Sequence, residues 1–334
     1  MIKKNSIIPH DKPVYREVIP QALVFAWKHP MHWLLGVFAA ILFSGGSLDV
    51  MWNFWNSVKN QGTELFIGNT LNNLWLAASL NSANGINWLP FIKGLLILVF
   101  FFVIIVAVAA FACICQGALV YAIGSWKDKR VTILKSLYAG AHALIPIAIL
   151  NLIIIIFLWI ARFGVSFPLA IALGKNNTLF VSVYIVSFIV FTVLALGFSV
   201  LQIYSLNAII LQKAGLAKSL QQGWEMIKKH WLVTLETAIL QSLVVLLILA
   251  AAAVATTLIV IPTIVTLYYT LENVNFLLFQ IVAGVFIAVA VIIITLLSGY
   301  IVAFQYAIWT FMFKKFGEGG VMPKLHRIFR SFIK

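Results

Sequence analysis

Apolar positions in this chain fall into long unbroken runs, of which LLILVFFFVIIVAVAAFACI at 95–114 is the clearest. Six such segments can be drawn, at about 31–48, 90–122, 143–172, 178–211, 231–268 and 275–312. A hydrocarbon layer roughly 30 Å thick is crossed by about 20 apolar residues wound as a helix. A barrel strand would instead alternate apolar and polar residues over about ten positions. The runs here do not alternate, and in lipid only a helix lets such a run satisfy its own backbone hydrogen bonds. The pattern predicts an all-α integral membrane protein with six transmembrane helices.

A second pattern precedes the first, third and fifth spans. Residues 218–223 read KSLQQG and 135–140 read KSLYAG, while QALVFAW at 21–27 resembles KSLQQGW at 218–224. In the third copy Leu216, Leu220, Trp224 and Ile227 recur at helical spacing, with Lys218, Gln221, Gln222, Glu225, Lys228 and Lys229 elsewhere on the wheel. The corresponding stripes are Leu134, Leu137, Tyr138, Ala141 and Leu144, and Val14, Val18, Ala22 and Ala26. An apolar stripe beside a basic face suits a helix lying in the headgroup layer. The ends of the even spans also echo one another, as GALVYA at 117–122, NAIILQ at 207–212 and YAIWTF at 306–311. One membrane domain, 1–334, is therefore expected to contain three tandem units at about 14–125, 131–213 and 216–313. Each unit is an interfacial amphipathic helix followed by a helical hairpin. Two spans per unit give every copy the same orientation, so the copies would be related by an axis along the membrane normal. Chance matches between short Ala-, Leu- and Ile-rich strings are the competing explanation.

Between the first two spans, residues 49–89 hold Trp52, Trp55, Trp75 and Trp88. Tryptophan favours the headgroup layer, so this region is expected as a periplasmic cap. Pro168 and Pro262 are expected to kink or end their helices. The N-terminus MIKKNSIIPHDKPVYREV has no apolar stretch with a cleavage site, so the first span is expected to act as an uncleaved anchor.

Composition and charge sharpen this. The 334 residues are 63% apolar and only 10% charged, far below the roughly one-quarter of a soluble domain. Nineteen of the 23 lysines and arginines fall on the side of both termini, including the basic tail at 314–334. Lys59, Lys93, Arg162 and Lys175 fall on the other. The positive-inside rule then makes both termini cytoplasmic. Topology accounts for the net charge of +14 without a nucleic-acid partner.

The run WKHPMHWLLGVFAAIL, the Trp-rich region after it and the KSLxxG helices resemble those of poorly characterised bacterial six-span proteins. These are similar in layout to the membrane domain attached to some glycerophosphoryl diester phosphodiesterases. The resemblance covers most of the chain and implies a helical domain of the bacterial inner membrane. It brings no catalytic residues, because the sequence ends at Lys334 without a phosphodiesterase domain.

Few residues suggest chemistry. Glu236 lies seven residues past Lys229, about 10 Å along a helix, where an intramembrane carboxylate is a functional candidate by default. It could serve a proton, ion or substrate, or simply snorkel or bond Thr234, Thr237 or Gln241. Arg162, near the opposite leaflet, is not expected to pair with it. His29, His32, His142 and His230 lie near the starts of odd spans and are expected as interfacial residues rather than metal ligands. Cys113 and Cys115 point to different helix faces and are expected as small core residues. Gln116, Asn151, Gln202, Asn207, Gln241, Gln280 and Gln305 are expected to bond between helices more than to line a pore.

No catalytic, cofactor or metal site is expected, and no hydrolase or nucleotide-binding motif is present in the loops. Lys127, Lys129, Arg130, Lys228, Lys229, Lys314 and Lys315 are candidate contacts for anionic lipid headgroups on the cytoplasmic face. Two readings of function remain. The first is a non-enzymatic scaffold or accessory component that holds lipids, partner membrane proteins or further copies of itself. The second is a transporter or lipid-handling protein with a cavity between the hairpins and Glu236 facing it. An intramembrane hydrolase is the weakest alternative, because no nucleophile and base can be paired.

Overall fold

A computed structural model describes residues 14–42, 88–126, 132–175, 178–272 and 276–318. These form eight helices and no strand: α1 Tyr15–Lys28, α2 Met31–Leu42, α3 Trp88–Gly124, α4 Ile133–His142, α5 Leu144–Lys175, α6 Thr178–Gln212, α7 Leu216–Glu272 and α8 Phe276–Glu318. Five of them, α3 and α5 to α8, contain stretches long and apolar enough to cross a membrane. The first expected span, 31–48, is an apolar helix over Met31–Leu42, and the rest of it lies outside the described residues. The expected cap at 49–89 falls almost wholly outside them, and most of the tail at 314–334 does too. Pro168 and Pro262 end neither α5 nor α7, each of which runs past its proline.

Backbone contacts divide the chain into two compact units. The first holds α1, most of α2, the C-terminal ends of α3 and α6, α4, the start of α5, and all of α7 and α8. Its core is built where the ends of α3, α6 and α8 meet. Gly117 of α3 stands against Ile210 of α6, since a Cβ there would lie 3.2 Å from its Cδ1. Tyr204 of α6 packs edge-on against Trp309 of α8, with ring centroids 5.7 Å apart. Trp126, just past α3, packs on Phe311 of α8 at 5.7 Å. Each pair of helix ends is thus in contact, and residues 202–210 of α6 are buried without exception. Strings that look alike in sequence, GALVYA, NAIILQ and YAIWTF, supply this core.

Three amphipathic segments pack around it. Gly140 of α4 sits on α3, where a Cβ would collide with the Ile114 carbonyl and come within 2.8 Å of the Ala118 nitrogen. Gly223, in the first turns of α7, sits on α6, where a Cβ would lie 2.7 Å from Ser205 Oγ. Along α1 the buried positions are Val18, Ala22, Phe25 and Ala26, and α1 packs on α8. Each segment therefore presents two small buried residues four apart: Ala22 and Ala26, Ser136 and Gly140, Ser219 and Gly223. Small side chains let helix backbones approach closely, which is the way membrane helices gain packing energy.

This corrects the stripes read from sequence. In the first copy the expected stripe is the buried one. In the other two the larger members face outward: Leu134 is 78% exposed, Tyr138 76% and Trp224 51%. On α4 and α7 the small residues Ser136, Gly140, Ser219 and Gly223 take the inward face, while α1 also buries Phe25.

Each amphipathic segment meets the next span at a break. His29 (φ −124°, ψ 68°) separates α1 from α2, and Ala143 (φ −98°, ψ 13°) separates α4 from α5. His230 (φ −125°, ψ 26°) bends α7 within its 57 residues. The Trp33 indole spans the first break by donating to the Ala26 carbonyl at 2.6 Å.

The second unit contains the N-terminal parts of α3 and α6 and the C-terminal part of α5. There Phe157 stacks on Phe198 with centroids 5.3 Å apart, beside buried Asn151, Ile154, Phe191 and Ala195.

Candidate functional site

Of the expected functional positions, Lys228, Lys229, Glu236, Lys314 and Lys315 are described, and all lie in the first unit. Lys314 and Lys315 are the last basic residues of α8 to be described. Lys314 Nζ donates to the carbonyl of Gly124, the last residue of α3, at 2.7 Å. A cation there satisfies a terminal carbonyl and opposes the negative end of the helix dipole. Lys315 pairs with Glu17 of α1 at 3.2 Å. Both lysines, expected at lipid headgroups, thus hold protein partners. Lys228 is exposed with its ammonium 5.1 Å from the centre of the Trp224 ring, and Lys229 is exposed beside it. Lys127, Lys129 and Arg130 lie outside the described residues.

The neighbours of Glu236 fix its level relative to α8. One residue on, Thr237 Oγ1 donates to the Val233 carbonyl at 2.8 Å and lies 4.0 Å from Met312 Sδ. Two residues earlier, Thr234 shares a hydrogen bond of 3.2 Å with the Tyr204 hydroxyl. Glu236 is therefore level with Met312, only two residues before Lys314. The carboxylate is half-buried, with Oε2 enclosed. Arg162 is helical, on α5.

The histidines divide. His29 and His32 lie 5.5 Å apart, both against Phe25, which also meets Phe311 and Trp126. His230 stacks on Phe316 at 4.4 Å with the rings 8° from parallel. His142, at the end of α4, is exposed. His29, His32 and His230 serve aromatic packing at the helix breaks, and among the described residues no three His, Cys, Asp or Glu side chains gather as a metal site would require. Cys113 and Cys115 are buried and unbridged.

Polar side chains act mostly inside the bundle. Gln116, Asn151, Gln202, Asn207 and Gln241 are buried. Asn207 Nδ2 donates to the Ile203 carbonyl at 2.7 Å, and Gln116 shares a side-chain hydrogen bond with Tyr306 of α8. Of Gln280 and Gln305, the first is exposed and the second half-buried.

Sequence reasoning missed the small pairs that seat the amphipathic segments, although the signal was the Ser and Gly of KSLxxG themselves. Each serine bonds within its own helix, Ser136 Oγ to the Thr132 carbonyl at 3.2 Å and Ser219 Oγ to the Leu216 carbonyl at 2.7 Å. That lets a polar residue face a dry contact.

No family model, curated protein or solved structure matches the chain.

Proposed function

We propose that the chain is a six-span protein of the bacterial inner membrane, built from three tandem units, with both termini cytoplasmic. It serves as a non-enzymatic scaffold or accessory component that holds anionic lipids and partner membrane proteins. The observation that carries this is the filled end where α3, α6 and α8 meet. Side chains occupy that end with aromatic, aliphatic and small residues, and a cyclic set of contacts surrounds it.

The tandem reading rests on that cycle. The second amphipathic segment sits on the end of α3, the third on the end of α6, and the first on α8. Each copy thus covers the returning span of the copy before it, with the first receiving the last. A comparable seat in each copy supports the tandem reading over chance matches between short strings.

The test is the state of other membrane complexes. Deleting the gene should remove or shift at least one complex on native gels of the inner membrane, and the tagged protein should retain a protein or anionic lipid after gentle extraction. An unchanged gel pattern together with a protein that purifies alone would overturn the proposal. The transport reading has the enclosed Oε2 of Glu236 in its favour. It requires Glu236→Gln to abolish uptake or efflux in proteoliposomes at unchanged expression. The scaffold reading predicts no such loss.

A further inference from the structure

The three amphipathic segments carry a second feature on their outer edges. Trp27 of α1 is 72% exposed and adjoins exposed Lys28. On α4 exposed Lys135 lies between Leu134 and Tyr138. On α7 the Lys228 ammonium sits over exposed Trp224. In each copy an amphipathic or apolar side chain is out in the solvent of the bundle with a lysine within one turn.

The charge of this edge is one-sided. Arg16, Lys28, Lys135, Lys218, Lys228 and Lys229 are exposed on the three segments. Of the two acids, Glu17 pairs with Lys315, and exposed Glu225, which accepts from Gln221 Nε2 at 2.9 Å, is outnumbered by Lys218, Lys228 and Lys229 on the same segment.

Resting on the scaffold reading above, we propose that the outer edge of these segments is a belt of three binding positions for anionic phospholipid. The aromatic ring lies among the upper acyl carbons and the lysine meets the phosphate. The division of labour differs from the one charge alone suggests. Lys314 and Lys315 fasten helices to one another, and lipid selectivity belongs to Lys28, Lys135 and Lys228. An aromatic ring fixes depth because it is amphipathic, and the lysine beside it is the group that tells an anionic headgroup from a zwitterionic one. The cation–π contact holds the Lys228 ammonium near Trp224, so less freedom is lost on binding.

Tryptophan quenching by brominated lipid tests this on the full-length protein in nanodiscs. Quenching by brominated phosphatidylglycerol and by brominated phosphatidylcholine is compared, and the share due to Trp224 is taken as the difference from Trp224→Phe. That share should favour phosphatidylglycerol by about five-fold at low salt, the factor one lysine near a membrane surface contributes. Lys228→Gln should bring the preference to unity while phosphatidylcholine still quenches, and Lys228→Arg should keep it. Lys314→Gln should leave it intact.

Equal quenching by the two lipids in the unaltered protein, or a preference that survives Lys228→Gln, would overturn the proposal. If Lys228→Gln does not fold, Lys28→Gln read through Trp27→Phe decides by the same criterion. A negative result leaves the native-gel outcome untouched, so failure of the lipid belt and failure of the scaffold reading are separable.

Discussion

Gly140 and Gly223 stand at equivalent positions of KSLxxG but differ in what an added methyl would meet. At position 140 the obstacles are backbone atoms of Ile114 and Ala118, which cannot turn aside. At position 223 the first obstacle is a serine hydroxyl. Gly140→Ala should therefore cost about 1–3 kcal/mol, as overpacking typically does, and lower the melting temperature in detergent. Gly223→Ala should cost less, and Ser205→Ala in the same chain should recover part of it. Equal losses at the two sites, with no recovery, would mean that the close approaches are not what hold these segments. Glu236 belongs to the same scale. Its neighbour Thr237 meets Met312 of α8, two residues before Lys314, a contact between helices that local sequence does not show.

Among the elements, the ties between helix ends are polar and the seats of the amphipathic segments are apolar, so the two should respond differently to conditions. The Lys315–Glu17 pair is partly exposed and screened, worth about 0.2–1 kcal/mol. Exchanging the two charges should restore most of what either single reversal loses, as thermal melts at low salt would register, and high salt should erase the difference. The seat of α1 is formed instead by Val18, Ala22 and Ala26, all fully buried. Ala22→Leu with Ala26→Leu should lift α1 from α8 and speed cleavage within 15–28 by added protease, at any salt concentration. Protection equal to that of the unaltered chain would refute the seat. His29, Ala143 and His230 fall where the apolar runs begin, so hydropathy locates each junction, and the structure adds that one residue leaves helical backbone there.

At the scale of the molecule, the Glu17–Lys315 contact brings residues near the two chain ends to one end of the first unit, and Lys314 brings the end of α3 there as well. The basic residues of that end should face the cytoplasm. Fluorescent-protein fusions after Lys28 and after Glu318 should both glow, while alkaline phosphatase fused at either position should be inactive. Opposite behaviour at the two positions would overturn the six-span topology. Much of the remaining surface is apolar and exposed: Phe100, Phe101 and Phe102 on α3, Leu246 and Leu247 on α7, and Ile292, Ile293 and Ile294 on α8. Such a surface is stable only with hydrocarbon as its solvent.

The sequence by itself determined the class of protein, the five helices long and apolar enough to cross a membrane, the shorter apolar helix after α1, and the places where amphipathic segments precede them. Each of these follows from local rules, because hydropathy, helical spacing and the distribution of lysine are written residue by residue. Only the tertiary structure decided which face of each segment turns inward, which helix the neighbours of Glu236 meet and what Lys314 and Lys315 hold. Those depend on partners distant in the chain: Ile114 for Gly140, Ser205 for Gly223, Met312 for Thr237, Gly124 for Lys314. In lipid an apolar residue is equally at home inside or out, so hydropathy cannot choose the packed face, and on α4 and α7 small side chains take it.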